Sequence, residues 1–159
     1  MGRPETSPLS RSETSPLSRA GALPLSAKVM AVLLSLTGLL TVLYWVLYFF
    51  AGAVQVEASE VYVAFENAFP AADGWMALAC FLSAAGLLGR RPWGLAFGLC
   101  AGSAMIFLGL MDVLFNIEQG LYAVRSLEMS LEILINIWTL GFGAFTIWFL
   151  WTRRKLFAD

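Results

Sequence analysis

The chain has no histidine, only two cysteines, and charged side chains at just 13% of its positions. Without histidine it lacks the commonest metal ligand and the side chain that exchanges protons near neutral pH. Cys80 and Cys100 alone build neither a disulfide framework nor a four-thiolate metal site. Also missing are a Walker phosphate loop, a dinucleotide fingerprint, a metalloprotease motif and a serine–histidine relay. Nucleotide-driven transport and histidine-dependent catalysis are therefore excluded for this chain alone, and no catalytic residue, cofactor or metal is assigned. A net charge of −1 offers no field for nucleic acid.

What is present is apolar. Hydrophobic residues make up 59% of the 159, and the mean hydropathy is +0.75. A soluble domain is usually about 45–50% apolar and about 25% charged. The polar exception is residues 1–27, where Arg3-Pro-Glu-Thr-Ser-Pro-Leu-Ser is followed by Arg11-Ser-Glu-Thr-Ser-Pro-Leu-Ser. This stretch buries too little apolar surface to offset its ordering entropy, and it reads as a disordered cytoplasmic tail.

Residues 28–155 read as a transmembrane domain. Val29 to Val54 runs 26 residues without a charge, where about 20 cross a bilayer. Further spans are expected at about 71–89, 92–115 and 129–151, with Pro70 and Pro92 at helix starts. Residues 57–69 read either as an outer amphipathic segment in the interface, with Ala58, Val61, Tyr62, Phe65 and Phe69 on one face and Glu60 and Asn67 on the other, or as a simple continuation of the first helix. The expected fold is an all-α, four-transmembrane-helix bundle. With the N-terminus inside, Arg3, Arg11, Arg19, Lys28, Arg90, Arg91, Arg153, Arg154 and Lys155 are cytoplasmic and only Arg125 is outside. That bias predicts both termini cytoplasmic, with Trp93, Trp148 and Trp151 at the inner headgroups.

Membrane helices associate through close packing and polar contacts, because lipid tails are as apolar as leucine. Gly94, Gly98 and Gly102 recur every four residues, and Gly109 follows one heptad later. This spacing predicts a packing face, extended by Met105, Asp112 and Asn116. The second span offers Ala77, Ser83, Ala84, Gly86 and Gly89, and the short Arg90-Arg91-Pro92 turn predicts an antiparallel hairpin. The last span carries Glu132, Asn136, Thr139, Gly143 and Thr146 on one stripe, and the first carries Thr37, Thr41, Tyr44 and Tyr48.

Depth along the helices suggests a site. Asp112 and Glu132 lie 20 residues above Pro92 and Thr152, or about 30 Å at the helical rise. Asp73, Asn136 and Tyr44 lie 16 residues above the inner ends of their spans. Asp73, Asp112, Glu132, Asn136, Tyr44 and Tyr48 are thus expected at the extracytoplasmic end. Eight of the 11 carboxylates fall in that half, opposed by Arg125 alone. Such a pocket favours a cation or an amine. The rival reading leaves these carboxylates at headgroup level, where charge costs little, with Asp73 in a helix first turn. Cys80 and Cys100, at similar depth, read as small apolar filler.

The stretch Phe65-Glu66-Asn67-Ala68-Phe69-Pro70-Ala71-Ala72-Asp73, with Gly109-Leu110-Met111-Asp112, resembles small uncharacterised bacterial four-helix integral membrane proteins. That resemblance implies a fold and a bacterial inner membrane, not a reaction. More distantly the chain resembles the emopamil-binding and sigma-2 four-helix class, whose members hold sterol-like amines on embedded acidic residues. The isomerase branch of that class needs histidine motifs that this chain lacks. Three functions stay open: binding or moving a small amphipathic or cationic ligand, serving as a non-catalytic partner or assembly subunit (with another membrane protein or a second copy), and, least favoured, modifying a lipid.

Overall fold

The computed structural model describes residues 23–51 and 59–157, with side chains through Lys155. The serine–proline repeat, the last residues of the expected first span and the start of the outer segment (Glu57 and Ala58) lie outside the described residues. Five α-helices follow one another: α1 Leu25–Ala51, α2 Glu60–Glu66, α3 Pro70–Leu88, α4 Pro92–Glu118 and α5 Leu127–Thr152. Short 3₁₀ turns occupy Leu121–Ala123 and Arg154–Phe157, and there is no strand among the described residues. α1, α2 with α3, α4 and α5 make four segments long and apolar enough to cross a membrane.

Local chemistry sets the helix ends. Ser59 caps α2 by accepting from the Tyr62 amide at 3.3 Å, and Ser126 caps α5 through the Met129 amide at 3.1 Å. Pro70 and Pro92 open α3 and α4, where a missing amide hydrogen costs nothing. Between them the chain reverses at Arg90, whose φ of 52° is left-handed. The Arg91 amide then reaches back to the Gly86 carbonyl at 2.8 Å, closing the end of α3.

The helices run up and down, with α1 packed on α3, α3 on α4, and α4 on α5. α5 closes on α1 through side chains: Trp138 Nε1 donates to Thr37 Oγ1 at 3.1 Å, and Arg153 Nη1 to Ser26 Oγ at 2.6 Å. Glycine allows the tightest approaches. A Cβ on Gly94 would lie 2.7 Å from Gly86 Cα, and one on Gly102 2.9 Å from the Gly143 carbonyl. Gly98 sits against Ser83 and Leu150, and Gly109 against Thr139 and Leu140. All four glycines of the α4 stripe are thus used inside the bundle. Gly89, expected on the α3 packing face, is instead the exposed cap of that helix.

The molecule is apolar outside and partly polar inside. Buried positions include Thr37, Ser83, Asn116, Glu132, Asn136, Thr139 and Thr146, while Leu39, Phe50, Phe107, Leu134 and Ile137 are exposed. Trp93, Trp148 and Trp151 are exposed at the end that carries Arg90, Arg91 and Arg153. Cys80 is buried and Cys100 exposed, and neither is in a disulfide.

Candidate functional site

The opposite end of the bundle gathers the acidic residues. It is formed by the last turns of α1 and α4, the first turns of α3 and α5, α2, and the 3₁₀ turn. α2 is only seven residues long, yet it turns Tyr62 and Glu66 inward, 1% and 6% exposed. Tyr62 packs with Leu121 and Met129 in a small second core that Phe115 covers. The segment expected to lie flat in the interface therefore caps the bundle with its polar pair facing in. Val61, expected on the same face as Tyr62, is exposed, as are Glu60 and Asn67.

A polar network runs across this end. Tyr44 of α1 donates to Glu66 Oε2 at 3.2 Å. The Tyr62 phenol lies in hydrogen-bonding reach of Glu66 and of Glu132 on α5. Asn116 Nδ2 of α4 donates to Glu132 Oε1, and both groups are buried. Asn136 Nδ2 faces the Tyr122 hydroxyl at 3.4 Å and also reaches Asp112. Tyr122 lies outside the spanning segments, and desolvation holds its phenol above the ordinary value, so it stays a neutral hydroxyl.

Asp73 stands to one side, in the first turn of α3. Its Oδ2 accepts from Trp45 Nε1 at 2.8 Å. The Trp45 ring meets Tyr44 and Tyr48 edge to face, each with centroids 5.2 Å apart, and Tyr44 and Tyr48 stack at 6.4 Å. The six expected residues are thus found at one end. Asp112, Glu132, Asn136 and Tyr44 join the network, Asp73 meets it through Trp45, and Tyr48 supplies an aromatic wall.

Five further participants were not expected in the site: Glu66, Tyr62, Trp45, Tyr122 and Asn116, the last expected only on the α4 packing face. Glu66 and Tyr62 stand one helical turn apart, so a shared face for the pair was the signal available. Trp45 and Tyr122 carry no such signal, since Trp45 reads as one more aromatic in an apolar run and Tyr122 lies in a turn.

Two features define the chemistry. No lysine or arginine enters the network among the described residues. Moreover, Asn116 Oδ1 and Asn136 Oδ1, on residues 0% and 4% exposed, are buried acceptors with no hydrogen-bond donor. The carboxylates are strung out rather than convergent, so among the described residues no three could close on one metal ion. An extended site rich in acceptors, flanked by tyrosine and tryptophan faces, suits a cation that can donate hydrogen bonds or lie against a ring.

No family model, curated protein or solved structure matches this chain. The resemblances drawn from the sequence therefore rest on the quoted residues alone.

Proposed function

We propose that this chain is a multi-pass protein of a bacterial inner membrane that binds a small cationic, amine-bearing ligand at the extracytoplasmic end of its bundle. The observation that carries this reading is the pair of unsatisfied acceptors, Asn116 Oδ1 and Asn136 Oδ1, buried beside uncompensated carboxylates. A buried acceptor left unpaired costs about 1–3 kcal/mol, and buried charges are normally paired. An ammonium group supplies both missing elements, a positive charge and several donors. Asp112 and Glu132 hold the charge, Asn136 and Asn116 accept its hydrogens, and Tyr44 and Tyr48 wall it. Asp73 orients the ligand from the α3 side.

Membrane residence is supported by the four long apolar segments and by an exterior of leucine, isoleucine and phenylalanine that water would not tolerate. Orientation is supported by the basic residues at the opposite end. The inner-membrane placement rests on the resemblance drawn from the sequence. A partner-subunit role held by the α4 glycines is less well supported, because α3 and α5 already fill that face.

Native mass spectrometry of the gently solubilised protein, beside Asp112→Asn, tests the binding reading. A reproducible bound small mass that the variant loses is expected. A clean apo protein in both would remove the ligand and leave the carboxylates as headgroup-level decoration.

A further inference from the structure

Away from the network, a groove of about 260 Å³ opens between α1 and α3. Val42, Trp45 and Phe49 line it from α1, and Pro70, Gly74 and Ala77 from α3. Its rims are the exposed side chains of the bundle exterior, Val42 and Phe49 among them, so it faces the hydrocarbon of a bilayer. The lining is apolar except for the Thr41 hydroxyl, which is spent on the Thr37 carbonyl at 3.0 Å, and the Trp45 indole nitrogen. Trp45, which forms its wall, is the residue whose indole nitrogen holds Asp73. Asp73 shares the α3 face of Pro70, Gly74 and Ala77, which places its carboxylate beside an otherwise greasy slot.

Gly74 is informative because packing does not need it. A Cβ added there meets nothing within 4 Å, unlike the glycines that seat α3 against α4. The missing side chain leaves the groove open instead of allowing a helix contact. An apolar slot with no basic residue in its lining, whose Trp45 wall is held by a single acid, matches a molecule of the same pattern, a hydrocarbon chain ending in a positive charge.

We infer that the groove between α1 and α3 holds the alkyl chain of a long-chain amine or ammonium ligand, with Asp73 engaging its charged head. This rests on the amine-binding reading above and names its ligand class. The ligand then enters sideways from the outer leaflet, and the Trp45 indole lies along its path towards Tyr44 and Glu66.

The test compares dodecylammonium with methylammonium, both with N–H donors, counting bound probe by native mass spectrometry of the full chain in phosphatidylcholine nanodiscs. Empty nanodiscs correct for partitioning, and dodecanol serves as the uncharged control. Lipid tails are as apolar as the groove, so the gain comes from close packing of the chain against α1 and α3. The long-chain probe should bind roughly tenfold tighter than its partitioning accounts for. Gly74→Leu fills the groove and should bring the two probes to within roughly threefold of each other. Asp73→Asn should weaken dodecylammonium roughly tenfold, as expected for loss of a charge contact.

Methylammonium binding with no gain from the chain, or a gain that survives Gly74→Leu, overturns the groove while leaving the amine site standing. Dodecanol binding as tightly as its charged counterpart overturns the role of Asp73. Binding of neither cation removes the amine site itself, and the groove proposal with it.

Discussion

Each polar group carried into this bundle either has a partner or leaves a deficit, and the two cases predict opposite responses to mutation. Thr146 Oγ1 is buried with no hydrogen-bond partner, on a residue 0% exposed. Thr146→Val replaces that hydroxyl with a methyl of nearly the same shape. Thermal unfolding in detergent should show a change between zero and a gain of about 1 kcal/mol, because the desolvation penalty disappears. A clear loss would mean that the hydroxyl has a role the geometry does not reveal. Asn116 is the contrasting case, since its amide donates to Glu132. Asn116→Leu strips a buried carboxylate of its donor and should destabilise by about 1–3 kcal/mol. Glu132→Gln keeps a carbonyl oxygen for Asn116 but removes the charge. It should weaken methylammonium binding by roughly tenfold while shifting unfolding far less than Asn116→Leu does. If Glu132→Gln unfolds the protein as severely as Asn116→Leu, the acid serves stability and not the ligand.

The helices divide into those whose packing was legible in sequence and one whose packing was not. On α4, Gly98, Gly102, Met105, Gly109 and Asn116 are buried, and on α5 so are Glu132, Asn136, Thr139, Gly143 and Thr146. Steps of three and four expose such a seam wherever a helix is long enough to repeat it and its other faces carry large apolar side chains. α2 is too short to repeat anything. Its inward Glu66 runs against the rule that a carboxylate near a membrane surface faces water, and only tertiary contacts with Tyr44 and Tyr62 reverse that rule. The seam also ranks the glycines. Gly94→Ala forces a methyl group to within 2.7 Å of the α3 backbone, where nothing flexible can yield. A cost of about 1–3 kcal/mol is expected, as for other overpacked sites. Gly141→Ala on α5 meets nothing within 4 Å and should be neutral or slightly stabilising, since alanine favours a helix interior by about 1 kcal/mol. Equal losses in the two variants, read as unfolding midpoints, would show that helix propensity and not the α3–α4 contact decides.

At the scale of the whole molecule, charge is separated along the bundle axis. Lys28, Arg90, Arg91, Arg153, Arg154 and Lys155 lie at the α3–α4 hairpin end. Glu60, Glu66, Asp73, Asp112, Glu118, Glu128 and Glu132 lie at the other, with Arg125. The same asymmetry does two jobs. Basic residues resist translocation, which is the ground for proposing that their end is cytoplasmic. In that proposed orientation the acidic end is at the outer face, where the proposed amine would reach it without crossing the membrane. Orientation and ligand access are therefore linked, and one labelling experiment bears on both. With Cys100 replaced by serine and Cys80 left buried, Ala123→Cys puts a thiol on the exposed 3₁₀ turn, and Arg91→Cys puts one on the exposed hairpin. A membrane-impermeant maleimide applied to intact cells should label Ala123→Cys at once and Arg91→Cys only after permeabilisation. The reverse pattern would put the carboxylates on the cytoplasmic side, and the ligand would then have to be an amine made or held inside the cell.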